Sequence, residues 1–166
     1  LGKILRYSIN QSNKIVCFSQ EIQWLKQYIY LQENRFYNSF KTKIEADEEV
    51  LECKIYKLIL QPLIENSIIH GFDGYTSGGI LEVLIKIKES YIVITIKDTG
   101  KGMDSEKVKY INKLKNGNQI INKGDHIGIE NVISRLRSYY GDYYCFNVES
   151  EIGKGTSITI RIPKII

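Results

Sequence analysis

The chain predicts an α+β fold in two layers, a mixed and mostly antiparallel sheet with helices on one face. Isoleucine-rich segments alternate with period 2 in two hairpin pairs, 81–87 with 92–96 and 144–148 with 158–162. Apolar stripes of helical period precede and separate those hairpins. The order of helices and hairpins never settles into the strand–helix–strand rhythm that a parallel sheet needs.

Residues 1–12 carry a weak stripe (Leu1, Ile4, Leu5, Ile9) and read as a helix end, broken by Asn10, Ser12 and Asn13. A stronger helix is predicted from Gln20 to about Tyr37, with Ser19 as N-cap, Glu21 in its first turn and Ile22, Leu25, Ile29 and Phe36 on one face. Residues 41–47 alternate as a short strand. The stretch 52–72 reads as one helix on the stripe Ile55, Leu58, Ile59, Leu63, kinked by Pro62 and ended by Gly71. A loop follows at 74–79. Leu81, Val83, Ile85 and Ile87 then face one way, Ile92, Ile94 and Ile96 likewise, with Glu89 and Ser90 closing the hairpin. Val108, Ile111 and Leu114 mark a modest helix, 115–125 is polar, and 127–140 is a strong helix with Ile129, Val132, Ile133 and Leu136 inward and Gly141 as its stop. Tyr144, Phe146 and Val148 pair with Ile158, Ile160 and Ile162 through a turn at Gly153 and Gly155. Lys86, Lys88, Ser157, Thr159 and Arg161 fall on the opposite side of these strands, which leaves one sheet face solvated.

The 166 residues suit one domain that buries roughly 70% of its unfolded surface. With 43% hydrophobic and 25% charged residues the chain is an ordinary globular one, neither disordered nor fibrous. No apolar run reaches the ~20 residues of a spanning helix, and no signal segment opens the chain. It begins at Leu1 rather than Met, so a piece of a longer protein is expected, with any membrane segment outside this window. Cys17, Cys53 and Cys145 are odd in number and widely spaced, which predicts three reduced thiols in a cytoplasmic setting rather than disulfides or zinc. The net charge of +4 is mild and dispersed, against a nucleic-acid partner.

Three polar features stand out from that framework. Asn66 falls on the apolar stripe of the Pro62 helix, three residues after Leu63, where a carboxamide must find a partner. Glu65 and His70 flank it, and both can meet a metal or a polyphosphate; a hydrogen-bonded core Asn is the alternative. Asp98, followed by Thr99, Gly100, Lys101, Gly102 and Met103, ends an isoleucine strand. A carboxylate there can accept from an exocyclic amine while bare backbone closes over a flat ring, though a plain polar turn has the same composition. Gly124 to Gly128 runs into the strong helix at Ile129, where orphan amides and the helix dipole can hold an anion, or where Asp125 simply caps the helix.

In order, LILQPLIENSIIHGF, DTGKGM, HIGIENVISRL and GKGTSITIRIP resemble the N, G1, G2 and G3 boxes of the Bergerat (GHKL) ATPases. Within them the chain is similar to the sensor histidine kinases of two-component systems. The run RYSIN…EIQWLKQYIYLQENRF ahead of QPLIEN points to the LytS/YesM-like subfamily. The resemblance spans essentially the whole chain. It implies residues 1–19 as the end of a dimerisation and phosphoacceptor hairpin, and 20–166 as the catalytic ATP-binding domain with a lid at about 101–126.

By the same resemblance Asn66 would ligate Mg²⁺ bridging the ATP phosphates, and Asp98 would accept from the adenine amine. Gly100 and Gly102 would let the chain approach the purine next to Met103, with His70 beside the nucleotide. The amides around Ile127, Gly128 and Ile129 would cradle phosphates, and Thr156 would reach the site from the last hairpin. His126 replaces a glycine common two residues before Gly128, which implies a stiffer lid. Pro62 stands where hydrolysing relatives place a water-activating Glu, so slow ATP hydrolysis at most is expected. His70 and His126 are the chain's two histidines and neither sits in an acceptor context, so the catalytic half lacks its own target. The implied whole is an ATP- and Mg²⁺-dependent protein-histidine kinase, a membrane-anchored homodimer with this part cytoplasmic. Its partners would be its own acceptor helices and a response-regulator receiver domain. A catalytically silent nucleotide-binding module and a plain interaction domain are the competing readings.

Overall fold

The computed structural model describes residues 14–114 and 127–166. In chain order the elements are β1 (Ile15–Cys17), α1 (Phe18–Arg35), β2 (Phe40–Ala46), β3 (Lys54–Tyr56), α2 (Leu60–Asn66), β4 (Gly79–Lys88), β5 (Tyr91–Asp98), α3 (Ser105–Leu114), α4 (Ile127–Tyr140), β6 (Cys145–Glu151) and β7 (Gly155–Pro163). A five-stranded sheet runs β2-β4-β5-β7-β6, with β2 parallel to β4 and the remaining pairs antiparallel. The α+β expectation with a mixed, mostly antiparallel sheet therefore holds.

Period-2 alternation does what it must on a sheet with one wet face. Leu81, Val83, Ile85, Ile92, Ile94, Ile96, Ile158, Ile160 and Ile162 are buried under the helices, while Lys86, Lys88 and Arg161 are exposed on the back. Each such aliphatic side chain contributes about 1.5–3 kcal/mol by leaving water. Ile129, Val132, Ile133 and Leu136 of α4 close the core from the helical layer.

Several boundaries differ from the sequence expectation. Ile15–Cys17 is a strand, antiparallel to β3, and α1 begins at Phe18 with Cys17 as its N-cap residue instead of Ser19. The helix ends at Arg35 because Tyr37 and Asn38 take positive φ. Residues 52–72 are not one helix. Lys54–Tyr56 pairs with β1 and bridges to Ile165, and Leu58 at φ +62° breaks the chain direction before α2 starts. Arg135 Nη1 donates to the Leu58 carbonyl (2.9 Å) and so pins that turn to α4. Pro62 sits in the first turn of α2, where its missing N–H would be unpaired in any case, so it produces no kink there. The 1–13 helix end and the 115–126 part of the expected lid, with His126, lie outside the described residues.

Candidate functional site

Helix α2 passes without a break into one π-turn over Ser67–Gly71. Single π-turns cluster at functional sites because they swing one helical face by an extra residue. Here the buried stripe is Leu60, Leu63, Ile64, Ser67 and Ile68. Asn66 is therefore half-buried at the rim of that stripe rather than within it, a correction to the expected register. Glu65 does not turn to the cleft: it accepts from Gln61 Nε2 at 2.8 Å, one turn back.

Opposite the π-turn, Asp98 closes β5. It occupies the next inward position after Ile92, Ile94 and Ile96, and its register partners are Leu81 and Thr156. That parity places a carboxylate on the core face at 2% exposure. Oδ1 accepts the Gly100 amide (2.9 Å) and the Thr156 amide (3.2 Å), and Oδ2 accepts the Ser67 hydroxyl at 2.6 Å. Burial raises the Asp98 pKa, against the lowering pull of those three donors. A carboxylate has about four acceptor directions, so one remains on Oδ2.

Asn66, His70, Asp98, Gly102, Met103 and Thr156 line one cavity of about 410 Å³, completed by Gly71, Lys101 and Lys107. Six of the ten expected residues are thereby brought together. Gly100 is adjacent but outside the lining: its bare Cα faces the Gly71 carbonyl, where a Cβ would stand 2.5 Å from the oxygen. Gly102, at φ +68°, is packed so closely on the Glu151 carbonyl that a Cβ would overlap it. Both glycines are thus needed for the backbone crossing that shapes the cleft floor. Gly128 and Ile129 lie in the first turn of α4 outside the lining, with Ile129 fully buried in the core, and Gly128 has room for a side chain beside Pro62. Of Ile127 the backbone alone is described, as the first residue of α4.

Neighbouring contacts hold the cleft walls. Lys101 Nζ meets Asp73 Oδ2 at 2.6 Å, the Lys101 amide donates to Gly71 O, and the Met103 amide donates to Ser150 Oγ at 2.8 Å. Ser150 Oγ in turn lies 3.0 Å from Thr156 Oγ1. Sequence reasoning missed Ser67 and Ser150. Ser67 was detectable as a hydroxyl on an otherwise aliphatic stripe; Ser150 carries no local signal. The Asn66 carboxamide has no hydrogen-bond partner among the described residues. One neutral oxygen at the cleft edge suits a hard cation that keeps water and phosphate oxygens as its other ligands, so the residues fit Mg²⁺.

The family model described as histidine kinase-, DNA gyrase B- and HSP90-like ATPase matches residues 54–166, and the model described as histidine kinase matches residues 1–40. The chain is similar to the sensor histidine kinase YesM of Bacillus subtilis, 32% identical over 98% of this chain and 26% of that protein. It is 30% identical to the sensor protein kinase HptS of Staphylococcus aureus, over 98% of this chain and 31% of that one. It thus spans about a quarter to a third of the curated relatives it matches. Its fold is similar to the catalytic domain of histidine kinase ThkA (TM-score 0.67, 13% identity, 91% of this chain and 96% of that one). ThkA solved in complex with the response regulator protein TrrA aligns at TM-score 0.65 and 13% identity, over 98% of this chain and 47% of that one.

Proposed function

This chain belongs to the histidine kinase-, DNA gyrase B- and HSP90-like ATPase family, and from that premise we propose that its cleft binds Mg·ATP for transfer of the γ-phosphoryl to a histidine on a dimerisation helix. The carrying observation is Asp98: a buried carboxylate whose backbone and Ser67 partners leave one acceptor direction at the cavity. That suits the exocyclic amine of adenine. Met103 gives the ring an apolar wall, and Thr156 holds Asp98 in register through its amide.

Asn66 would hold Mg²⁺ through its side-chain oxygen, and the metal supplies charge neutralisation at the phosphates. The protein's own share is positioning and electrostatic stabilisation, which suffices for an in-line phosphoryl transfer. The bond from Pγ to the β-bridging oxygen breaks, ADP leaves, and a P–N bond forms on the acceptor imidazole, whose proton passes to solvent. Pro62 stands four residues before Asn66 and cannot act as a base toward water, so transfer to histidine is favoured over hydrolysis. A role for the amides of Gly128 and Ile129 at the phosphates belongs to this reading, as do the assignment of residues 1–19 to an acceptor hairpin and of 101–126 to a lid. So do a homodimeric, membrane-anchored whole protein and a response-regulator partner; the ThkA–TrrA complex supports the last by likeness of fold.

Calorimetric titration of ATP with Mg²⁺, followed by phosphoryl transfer to a supplied histidine-bearing helical hairpin, tests the reading. Saturable binding and a labelled, acid-labile hairpin are expected. Binding without transfer reduces the function to a nucleotide-binding module, and a folded chain that binds no ATP refutes it altogether.

A further inference from the structure

A polar circuit joins α1 to the helix that carries Asn66, outside the lining of the nucleotide cleft. Trp24 and Tyr28 stand one turn apart on α1, and Gln61 and Glu65 one turn apart on α2. The Trp24 indole Nε1–H donates to Gln61 Oε1 at 3.1 Å, and Gln61 Nε2–H donates to Glu65 Oε1 at 2.8 Å. The Tyr28 phenol completes the circuit on the Glu65 carboxylate. Burial first, then that carboxylate's charge and hydrogen bond, keep the phenol protonated and hence a donor. Trp24 and Tyr28 are buried, at 6% and 7% exposure.

An indole N–H only donates and a carboxylate only accepts, so the orientation of the Gln61 amide is dictated by its two partners. Glutamine joins one acceptor to one donor at the reach required, and an aliphatic side chain of equal length would remove the Gln61 acceptor from the buried indole N–H. Asn66 follows Glu65 directly and has no hydrogen-bond partner of its own among the described residues. The next residue, Ser67, opens the π-turn and is tied to Asp98. Asn66 thus stands between two anchors, the circuit to α1 before it and the Ser67–Asp98 bond after it.

We propose that Gln61 and Glu65 are positioning residues that couple the direction of the Asn66 carboxamide, and with it Mg²⁺ capture, to the position of α1; this rests on the Mg·ATP reading above. Trp24 is the chain's single tryptophan, so the circuit contains its own reporter. Displacement of α1 along its axis breaks the circuit, and a metal held by Asn66 tightens it.

The test takes the whole chain with Gln61→Met and Trp24→Phe, the second keeping an aromatic ring while removing the N–H donor and part of the indole. Tyr30→Ser, on the exposed side of α1, is the control. ATP is titrated calorimetrically in EDTA and over a series of Mg²⁺ concentrations. The Mg²⁺ concentration for half-maximal tightening should rise about threefold to tenfold in both circuit variants, the size of one hydrogen bond. ATP affinity in EDTA should move less than about twofold, and Tyr30→Ser should match the native chain. Added to Asn66→Ala, which removes the metal response, Gln61→Met should leave ATP affinity in EDTA within about twofold, an outcome that general destabilisation does not produce. Trp24 emission of the native ATP complex should shift on adding Mg²⁺ and stay still in Gln61→Met. Unchanged metal dependence in both circuit variants, while the native chain binds Mg·ATP, overturns the coupling and leaves the nucleotide site standing. A native chain that binds no ATP overturns both.

Discussion

Replacing Asp98 by Asn exchanges one oxygen for an NH₂ group at the floor of the cleft, and the contacts there set the consequence. Oδ1 accepts two backbone amides, from Gly100 and Thr156, so the remaining oxygen of the asparagine must stay on that side. The NH₂ then faces Ser67 and the cavity. The Ser67 hydroxyl can rotate to accept, so no buried group is orphaned. Three charge-assisted bonds become neutral ones while a desolvated charge disappears, and the two changes offset to within about 1 kcal/mol of stability. Binding has no such compensation. An adenine amine loses a bond to a charged acceptor, about 1.5–3 kcal/mol, and meets a donor instead, about 1–3 kcal/mol more. Together these weaken ATP binding by roughly 10²–10⁴-fold. Calorimetry of ATP into native and Asp98→Asn chains, with thermal unfolding as the folding control, measures it. A folded variant that binds within about threefold of the native chain refutes the adenine assignment.

The same carboxyl makes a prediction in pH. Burial raises the Asp98 pKa in the folded chain above its unfolded value, so its proton favours folding at low pH and that contribution is lost as pH rises through the folded value. The stability of the native chain relative to Asp98→Asn should therefore fall as pH rises above the ordinary carboxylate range, read from urea midpoints; a difference that grows with pH contradicts the sign. Asn66→Ala should abolish the Mg²⁺ enhancement of ATP affinity by titration, and a retained enhancement removes Asn66 as the ligand. Gly102→Ala should cost about 3 kcal/mol or more, because φ is positive and the Glu151 carbonyl occupies the Cβ position. Gly128→Ala, with its nearest neighbour at 3.7 Å, should leave thermal stability unchanged or raised by about 0.5–1 kcal/mol. Equal losses at the two glycines would contradict the packing.

Much of the site was legible before any coordinates. Asp98 and Thr156 are the next inward positions of the Ile92–Ile96 and Ile158–Ile162 stripes, so counting by twos puts both on the core side of neighbouring strands. Met103 and His70 followed from their places in ordered motifs. The helix at 52–72 misled because Ile55 and Ile59 are compatible with a 3.6-residue period, yet Ile55 is buried on a strand. That strand exists because Ile15–Cys17 and Ile165, both remote in sequence, supply its hydrogen bonds. Glu65 was read toward the phosphates for want of knowing that Gln61, Trp24 and Tyr28 lie on its other side.

Periodicity, glycine placement and motif order act through local sterics and the burial of alternate positions, and by themselves they determined an α+β chain with a carboxylate at one strand end and a carboxamide on a nearby helix. The meeting of those two groups was decided by the tertiary structure. The π-turn after Asn66, the β5–β7 register and the crossing of the Gly100 and Gly102 backbone over Gly71 and Glu151 bring them to one cavity. Long-range pairing chose the two-stranded β1–β3 sheet over a longer helix for the same reason. Hydrogen bonds and packing between segments about forty residues apart outweigh a helical preference worth only tenths of a kcal/mol per residue.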